Sequence, residues 1–588
     1  MRPQPLTRRR FLGLAGVAAG MGLLTACGPA APAAAPTTPP APAPTTAPAA
    51  APKPTTAPAA PATAAPAAAP TAASAPAAAP TTAPAAKPAA TAANTLTFLW
   101  GSDTDKLDPP TMTSQEGFIA DTAMYEGLVR YTSGGTDVEP ALAEKWDVAP
   151  DGLSVVFHLR QGVKFHDGSP LTAEAAAFSF DRSLNKDNPL YQEAQGDYGG
   201  FPFIDAYIGN VVSKVEAAGP MDVKFTLKQK YSPLLSNLAI PPGFVVSMEA
   251  LKKSGKGINE APVGTGPFKF VEWKKDDHIT VEAFDGYWGN KPKLQRIVFQ
   301  PVPEASVRAL KIKNGEGDVT WVIDPKDVPS LKGQADTDVL EQPGLNVSYA
   351  DFNLQLPDFQ NKSLRQALNY AVNKQELADS LYSGAGVAEQ GVLPATSWAY
   401  SGTIKGYPFD IDKAKQLLKD SGYNGQTLTL WAYTVPRAYN PQGSKLAEAL
   451  QQYWQDIGVN SEIKTEEWAQ YRVDRRAGKF PVELNGWQAD TGDPENFLGV
   501  FFHSSNKGAT NTSWYSVPAV DQLLDQANQE TDQAKRKALF NQAETRIVDD
   551  APWVFIGHMK QQAAIRKRVQ NFVQQPTYIY YFNNVSVG

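Results

Sequence analysis

The chain has 588 residues, enough for more than one domain, with 54 basic and 60 acidic residues and a single cysteine. Six of the basic residues and none of the acidic ones precede Asn94, so the remainder carries 48 against 60, a net of −12. Such a surface repels nucleic acid and anionic lipid headgroups and argues against both as partners. One cysteine rules out a disulfide framework or a thiolate metal cluster.

In chain order, Thr7-Arg-Arg-Arg-Phe-Leu12 is a basic n-region, and residues 11–26 form a Gly-rich apolar run too short for a spanning helix. The run ends in Leu24-Thr-Ala-Cys27, which resembles a bacterial lipobox whose cysteine is lipidated; Arg8 and Arg9 resemble a twin-arginine export signal. Residues 1–26 are therefore expected to be a lipoprotein signal peptide, with Cys27 anchored to a membrane. Residues 30–93 are Ala, Pro and Thr apart from Lys53, Ser74 and Lys87. Such a stretch cannot repay its folding entropy, so 27–93 reads as an extended tether.

A strand is expected over 94–100, then an Asp108-Pro-Pro110 turn leading to Thr113 and a helix over 115–128. Pro150-Asp-Gly152 turns a hairpin between 146–148 and 154–159, and Thr172 caps the next helix. Further strands are expected at 211–216, 223–227, 268–273, 278–283 and 296–301. The first half is thus strand-rich, whereas the second alternates helix and strand, an α/β pattern.

The alternation is clearest from 427 onward. Thr427-Leu-Thr-Leu-Trp-Ala-Tyr433 reads as a strand and 434–442 as a loop carrying Arg437. Leu446, Leu450, Tyr453, Trp454 and Ile457 give a helix over 444–457 that Gly458 ends. A strand over 459–465, a helix over 466–477 and a strand over 482–489 follow, and Asp490 stands directly after the last.

Ligands of open parallel sheets bind beyond the carboxyl ends of the strands, where both Arg437 and Asp490 are offered. A guanidinium grips a carboxylate through a two-pronged fork and a carboxylate accepts from an ammonium, so the pair suits a zwitterion such as an amino acid or short peptide. The alternative is that both are solvated loop residues, or that Asp490 caps a helix. Asp493, preceding Pro494, fills that cap role better.

Several segments then resemble the solute-binding proteins of peptide ABC importers: Tyr125-Glu-Gly-Leu-Val-Arg-Tyr131, Pro140-Ala-Leu-Ala-Glu-Lys-Trp146, Val163-Lys-Phe-His-Asp-Gly168, Val263-Gly-Thr-Gly-Pro-Phe268 and Arg365-Gln-Ala-Leu-Asn-Tyr-Ala-Val-Asn373. Within that family, Leu430-Trp-Ala-Tyr-Thr-Val-Pro-Arg-Ala-Tyr-Asn-Pro441 and Gly486-Trp-Gln-Ala-Asp-Thr-Gly-Asp-Pro-Glu-Asn-Phe497 are most similar to dipeptide binders. The resemblance implies a two-lobed α/β fold hinged around its ligand, with 94–349 plus 560–588 as one lobe and 350–559 as the other. It implies that Asp490 holds the peptide ammonium and Arg437 its carboxylate. Ala438, Tyr439 and the Trp487, Gln488 and Ala489 backbone would line the site, and Thr113 would close over it. It further implies a monomeric extracytoplasmic binder, not an enzyme, that needs no cofactor or metal. Such a binder delivers its ligand to an ABC permease and its ATPase.

Two other readings remain. A tethered hydrolase is disfavoured because His158, His166, His278, His503 and His558 are scattered, with no His-Glu-x-x-His pair and no Gly-x-Ser-x-Gly elbow; His166 reads as a turn residue. An oligosaccharide binder would use Trp398, Tyr400, Trp431, Tyr433 and Trp487 as stacking platforms, although Trp431 reads as core.

Overall fold

The computed structural model describes residues 94–196, 203–254, 258–388 and 390–588, all within the unit Ala85–Gly588. The expected signal peptide, Arg8, Arg9, Cys27 and the tether lie outside the described residues.

The polypeptide enters through β1 (Thr95–Trp100) and a short hairpin, β2 (Val129–Tyr131) with β3 (Val138–Pro140). Next, β4 (Ala143–Val148), β5 (Ser154–Leu159), β6 (Val212–Ala217) and β7 (Asp222–Leu227) form an antiparallel sheet in the order β4-β5-β7-β6. The β4–β5 hairpin turns where Pro150-Asp-Gly152 foretold, with Gly152 at φ +68°. On β5, Val155, Phe157 and Leu159 point inward and alternate with half-buried residues, as one solvated face requires.

β8 (Phe268–Lys274), β9 (His278–Ala283), β10 (Arg296–Pro301), β11 (Val319–Trp321), β12 (Thr337–Pro343), β13 (Asn346–Phe352), β14 (Gly386–Val387), β15 (Leu428–Tyr433), β16 (Ser461–Glu466), β17 (Val482–Gln488) and β18 (Trp553–Arg566) join β1 in one mixed sheet. Its main path runs β16-β15-β17-β13-β18-β11-β1-β10-β9-β8. The expected parallel unit is present, since β15 pairs in parallel with both β16 and β17. The helix between β15 and β16, Gly443–Asp456, buries Leu446, Leu450 and Trp454 on one stripe.

The molecule has two lobes because its apolar residues cluster in separate cores. Phe98, Phe157, Phe225 and Phe299 belong to one core, whereas Leu430, Trp454 and Leu484, with a neighbouring cluster around Phe501 and Trp553, lie in the other lobe. Strand β18 serves both: Val554 and Ile556 pack in the second lobe, and Ala563 and Ile565 in the first. Between them sits Gly557 at φ +154°, where an added Cβ would lie 2.3 Å from the Val387 carbonyl oxygen. The β13–β18 register also shifts beside it, between Ser348 and Tyr349.

The helix expected over 115–128 stops at Met124. The Gly266 amide captures the Met124 carbonyl at 2.9 Å, occupying an acceptor that a further helical turn would need. Gly127 then passes so close to Leu238 that a Cβ would meet its carbonyl at 2.7 Å. The Asp108-Pro-Pro turn ahead of this helix is fixed by a buried fork. Arg182 donates to the two Asp108 oxygens at 2.8 and 2.5 Å, and both side chains are 1% exposed.

Candidate ligand site

A cavity of about 320 Å³ lies between the lobes. It gathers Thr113, Arg437, Tyr439, Trp487, Gln488 and Asp490, six of the eight ligand-contact positions expected from the sequence. Ala438 instead lines a smaller adjoining cavity of about 40 Å³, and Ala489 is buried in the second lobe's core with its amide donated to the Leu345 carbonyl at 2.9 Å. The Ala489 position therefore fixes the β17 exit and does not face the cavity.

Arg437 sits in a tight turn after β15, where its backbone N–H and C=O pair with those of Asn440 at 3.2 and 3.0 Å. Its guanidinium lies 4.2 Å from the centre of the Trp468 ring. Stacking holds the plane, the Tyr439 hydroxyl accepts from the guanidinium, and no carboxylate of the described residues forms an ion pair with it. Tyr439 lies against β17, and this approach requires glycine: a Cβ on Gly486 would be 2.3 Å from the Tyr439 ring.

Asp490 follows β17 on a short segment that Asn496 holds. One Asn496 side-chain oxygen accepts from the Asp490 amide and from Trp487 Nε1, both at 3.0 Å. Tyr207 donates its hydroxyl to Asp490 Oδ2 at 2.7 Å. Burial raises the Asp490 carboxyl to about 6, against the lowering effect of that bond. Asp493 is not the cap of the next helix, Glu495–Phe502, which Pro494 caps; it stands one residue earlier and accepts from the Glu495 amide at 3.1 Å. It is also gripped by Arg536 at 2.8 and 2.9 Å.

Sequence reading missed four residues here. Glu116, in the first turn of the helix Gln115–Met124, lines the same cavity, where burial raises its carboxyl while the Ser102 bond and the charges of Arg437 and Arg308 oppose the rise. Tyr207, Trp468 and Asn496 hold the cavity-facing groups; Tyr207 and Trp468 come from distant parts of the chain, Asn496 from six residues past Asp490. Gln488 lines the cavity, yet both its amide donors are spent on the Leu345 and Pro576 carbonyls at 3.0 Å.

Bonds between the lobes surround the cavity. Besides Tyr207 with Asp490, Tyr131 accepts from the Gly492 amide at 3.1 Å, and the Ser232 amide donates to the Asn528 carbonyl at 2.8 Å. The structure is thus a closed form, with the charged groups screened from bulk water and their interactions strengthened.

The rival chemistries find less support. Among the described residues no group of three or more His, Cys, Asp or Glu side chains is arranged to hold a metal ion. His166 lies in a turn, its Nε2 beside the Gly266 carbonyl at 3.0 Å, and burial depresses it to about 4. Of the five candidate sugar platforms only Trp487 lines the cavity; Trp431 stacks on Phe480 at 4.5 Å in the core.

The family profile of the bacterial extracellular solute-binding proteins, family 5, matches residues 137–509. The chain belongs to that family. It is 36% identical over 510 residues to a dipeptide-binding protein of Escherichia coli, covering 84% of this chain and 95% of that protein. It is also 37% identical over 477 residues to heme-binding protein A of Haemophilus influenzae, covering 79% and 87%. Among solved structures it is similar to the dipeptide binding protein of a Pseudoalteromonas species in complex with Met-Leu. That match has a TM-score of 0.75 at 28% identity and covers 84% of this chain and all of the other. Family members named for a dipeptide and for haem share this architecture, so the groups in the cavity, not the fold, decide what this member holds.

Proposed function

We propose that the protein is a lipid-anchored receptor outside the cytoplasm. In this reading it captures dipeptides or short peptides between its lobes and passes them to the permease and ATPase subunits of an ABC importer. It acts as a monomer, by binding and release and not by catalysis. The observation that carries the reading is one enclosed cavity in which a carboxylate, Asp490, and a guanidinium, Arg437, both face the space and form no ion pair with each other. Two opposite charges held apart and half-buried are costly unless a ligand answers both, and a zwitterion does so. The names of the E. coli relative and of the Pseudoalteromonas structure agree with this choice.

Closure follows from the lobe connection. Lobes of 94–349 plus 560–588 and 350–559 would be joined within β13 and near the middle of β18, and the open form would break the Tyr207–Asp490 bond. Cys27 would carry the lipid and Arg8 and Arg9 the export signal. Thermal unfolding with panels of dipeptides, free amino acids and oligosaccharides tests the reading. A ligand at 100 times its dissociation constant adds about 2.7 kcal/mol of stability. Stabilisation by dipeptides that is lost in Asp490→Ala is expected; stabilisation by sugars alone, indifferent to that change, would overturn it. Fatty-acid labelling that survives Cys27→Ala would overturn the anchor.

A further inference from the structure

Next to the zwitterion cavity, sharing Trp487, Ala509 and Thr510 with it, lies a larger one of about 510 Å³. Its ionisable lining among the described residues is Asp205, Glu495, His503 and Asp525. His503 Nε2 lies 3.4 Å from Asp525, and its Nδ1 meets the Ser505 hydroxyl at 2.7 Å, so Asp525 already answers any imidazolium charge. The Asp205 and Glu495 carboxylates have no hydrogen bond or ion pair among the described residues. Arg536, the cation that acts on Glu495, is committed to Asp493 through two bonds; of the two lysines that act on Asp205, Lys228 donates to the Gly209 and Asn210 carbonyls at 3.0 and 3.2 Å and Lys186 does not line the cavity. Among the described residues the space is therefore lined by acceptors and by no lysine or arginine.

Its position relative to Asp490 identifies the occupant. Tyr207 lines this larger cavity and donates to Asp490, which itself lines the smaller one, so a single side chain separates the ammonium anchor from the larger space. The ammonium and the side chain of a peptide's first residue leave the same carbon. A side chain whose ammonium is held at Asp490 therefore has this cavity directly beside it.

We propose that this cavity is the subsite for the side chain of the peptide's first residue and that it selects a cationic one, of lysine or arginine type, with Glu495 as its ion partner and Asp205 as a supporting acceptor. The inference rests on the dipeptide reading above. Burial, then the charge of Asp493, raises the Glu495 carboxyl to about 7 in the empty site. A cation drawn against it returns it to the ionised form, so a lysyl peptide releases protons near neutral pH beyond those released by an uncharged analogue.

Calorimetry of the protein with Ala-Ala, Lys-Ala, Glu-Ala and norleucyl-Ala tests this, norleucine having a similar aliphatic chain without the charge. Lys-Ala is expected to bind at least about tenfold more tightly than norleucyl-Ala, Glu-Ala more weakly than either, and the Lys-to-norleucine ratio to fall towards one in Glu495→Gln. A wild-type ratio of one or below, or a ratio unchanged in both Glu495→Gln and Asp205→Asn, overturns the subsite. The wild-type ratio decides even where a variant does not fold. If Ala-Ala itself does not bind, the peptide reading fails and takes the subsite with it; if Ala-Ala binds but lysine brings no gain, only the subsite falls.

Discussion

Affinity for a dipeptide with uncharged side chains, such as Ala-Ala, should fall as the pH drops below 6. The Asp490 carboxyl stands at about 6 in the free protein because burial raises it and the bond from Tyr207 offsets only part of the rise. A bound ammonium stabilises the carboxylate and lowers that value, so at acid pH a proton must leave before the peptide is held. If the bound-state value lies below 5, affinity falls about tenfold between pH 7 and pH 5, or about 1.4 kcal/mol. Above 6 the curve should stay flat until the peptide amine itself titrates, at about 7.7–8.0. Glu116, the other raised acid of the cavity, acts at the Arg437 end, and a variant separates its effect. Asp490→Asn should lower affinity at pH 7 by about 2–5 kcal/mol and remove the acid limb. Titration calorimetry in a buffer series from pH 5 to 7.5 reads both effects. A flat profile, or an acid limb of unchanged midpoint in Asp490→Asn, would refute the assignment of the ammonium site.

Arg437→Met should weaken dipeptides by about 2–4 kcal/mol, with a much smaller effect on the corresponding C-terminal amides, a contrast that calorimetry can measure. Arg182→Met leaves Asp108 buried without its partner and should cost about 3–5 kcal/mol of stability, read as a lower denaturant midpoint. Lys374 is buried with no partner for its ammonium among the described residues, and desolvation lowers it from 10.5 to about 7. The unfolded chain therefore binds more protons between about pH 7 and 10.5, so this group makes stability rise with pH across that window. Lys374→Met should flatten that slope and stabilise the protein at pH 7 by about 1–4 kcal/mol, as urea unfolding at several pH values would show. An added Cβ in Gly557→Ala meets the Val387 carbonyl at 2.3 Å, so unfolding should be easier by about 1–3 kcal/mol.

The β15 to β17 unit was legible because its period-two strands, amphipathic helix and terminal glycine all point to one local structure. The same local clarity put Arg437 and Asp490 just past strand ends. What holds those two groups was not legible. Tyr207 reaches Asp490 from the 3₁₀ turn Phe203–Ala206 region of the other lobe, and Trp468 meets Arg437 from the helix after β16. Neither spacing is local, so no periodicity reports it. The overrun of the first helix past Met124 has the same origin, since its stop is a backbone bond from Gly266 far along the chain. Gln488 and Ala489 show the converse: they adjoin Asp490 in sequence, yet one spends its side-chain donors on the surrounding backbone and the other turns into the core.

The most direct test is binding of Ala-Ala beside its N-acetylated form and its C-terminal amide under one set of conditions. If Asp490 and Arg437 together hold the two ends of a zwitterion, blocking either end should cost at least about 2 kcal/mol, and the acetylated peptide should be nearly indifferent to Asp490→Asn. Equal affinity for the free peptide and for either blocked form would contradict the account, whatever else the cavity holds.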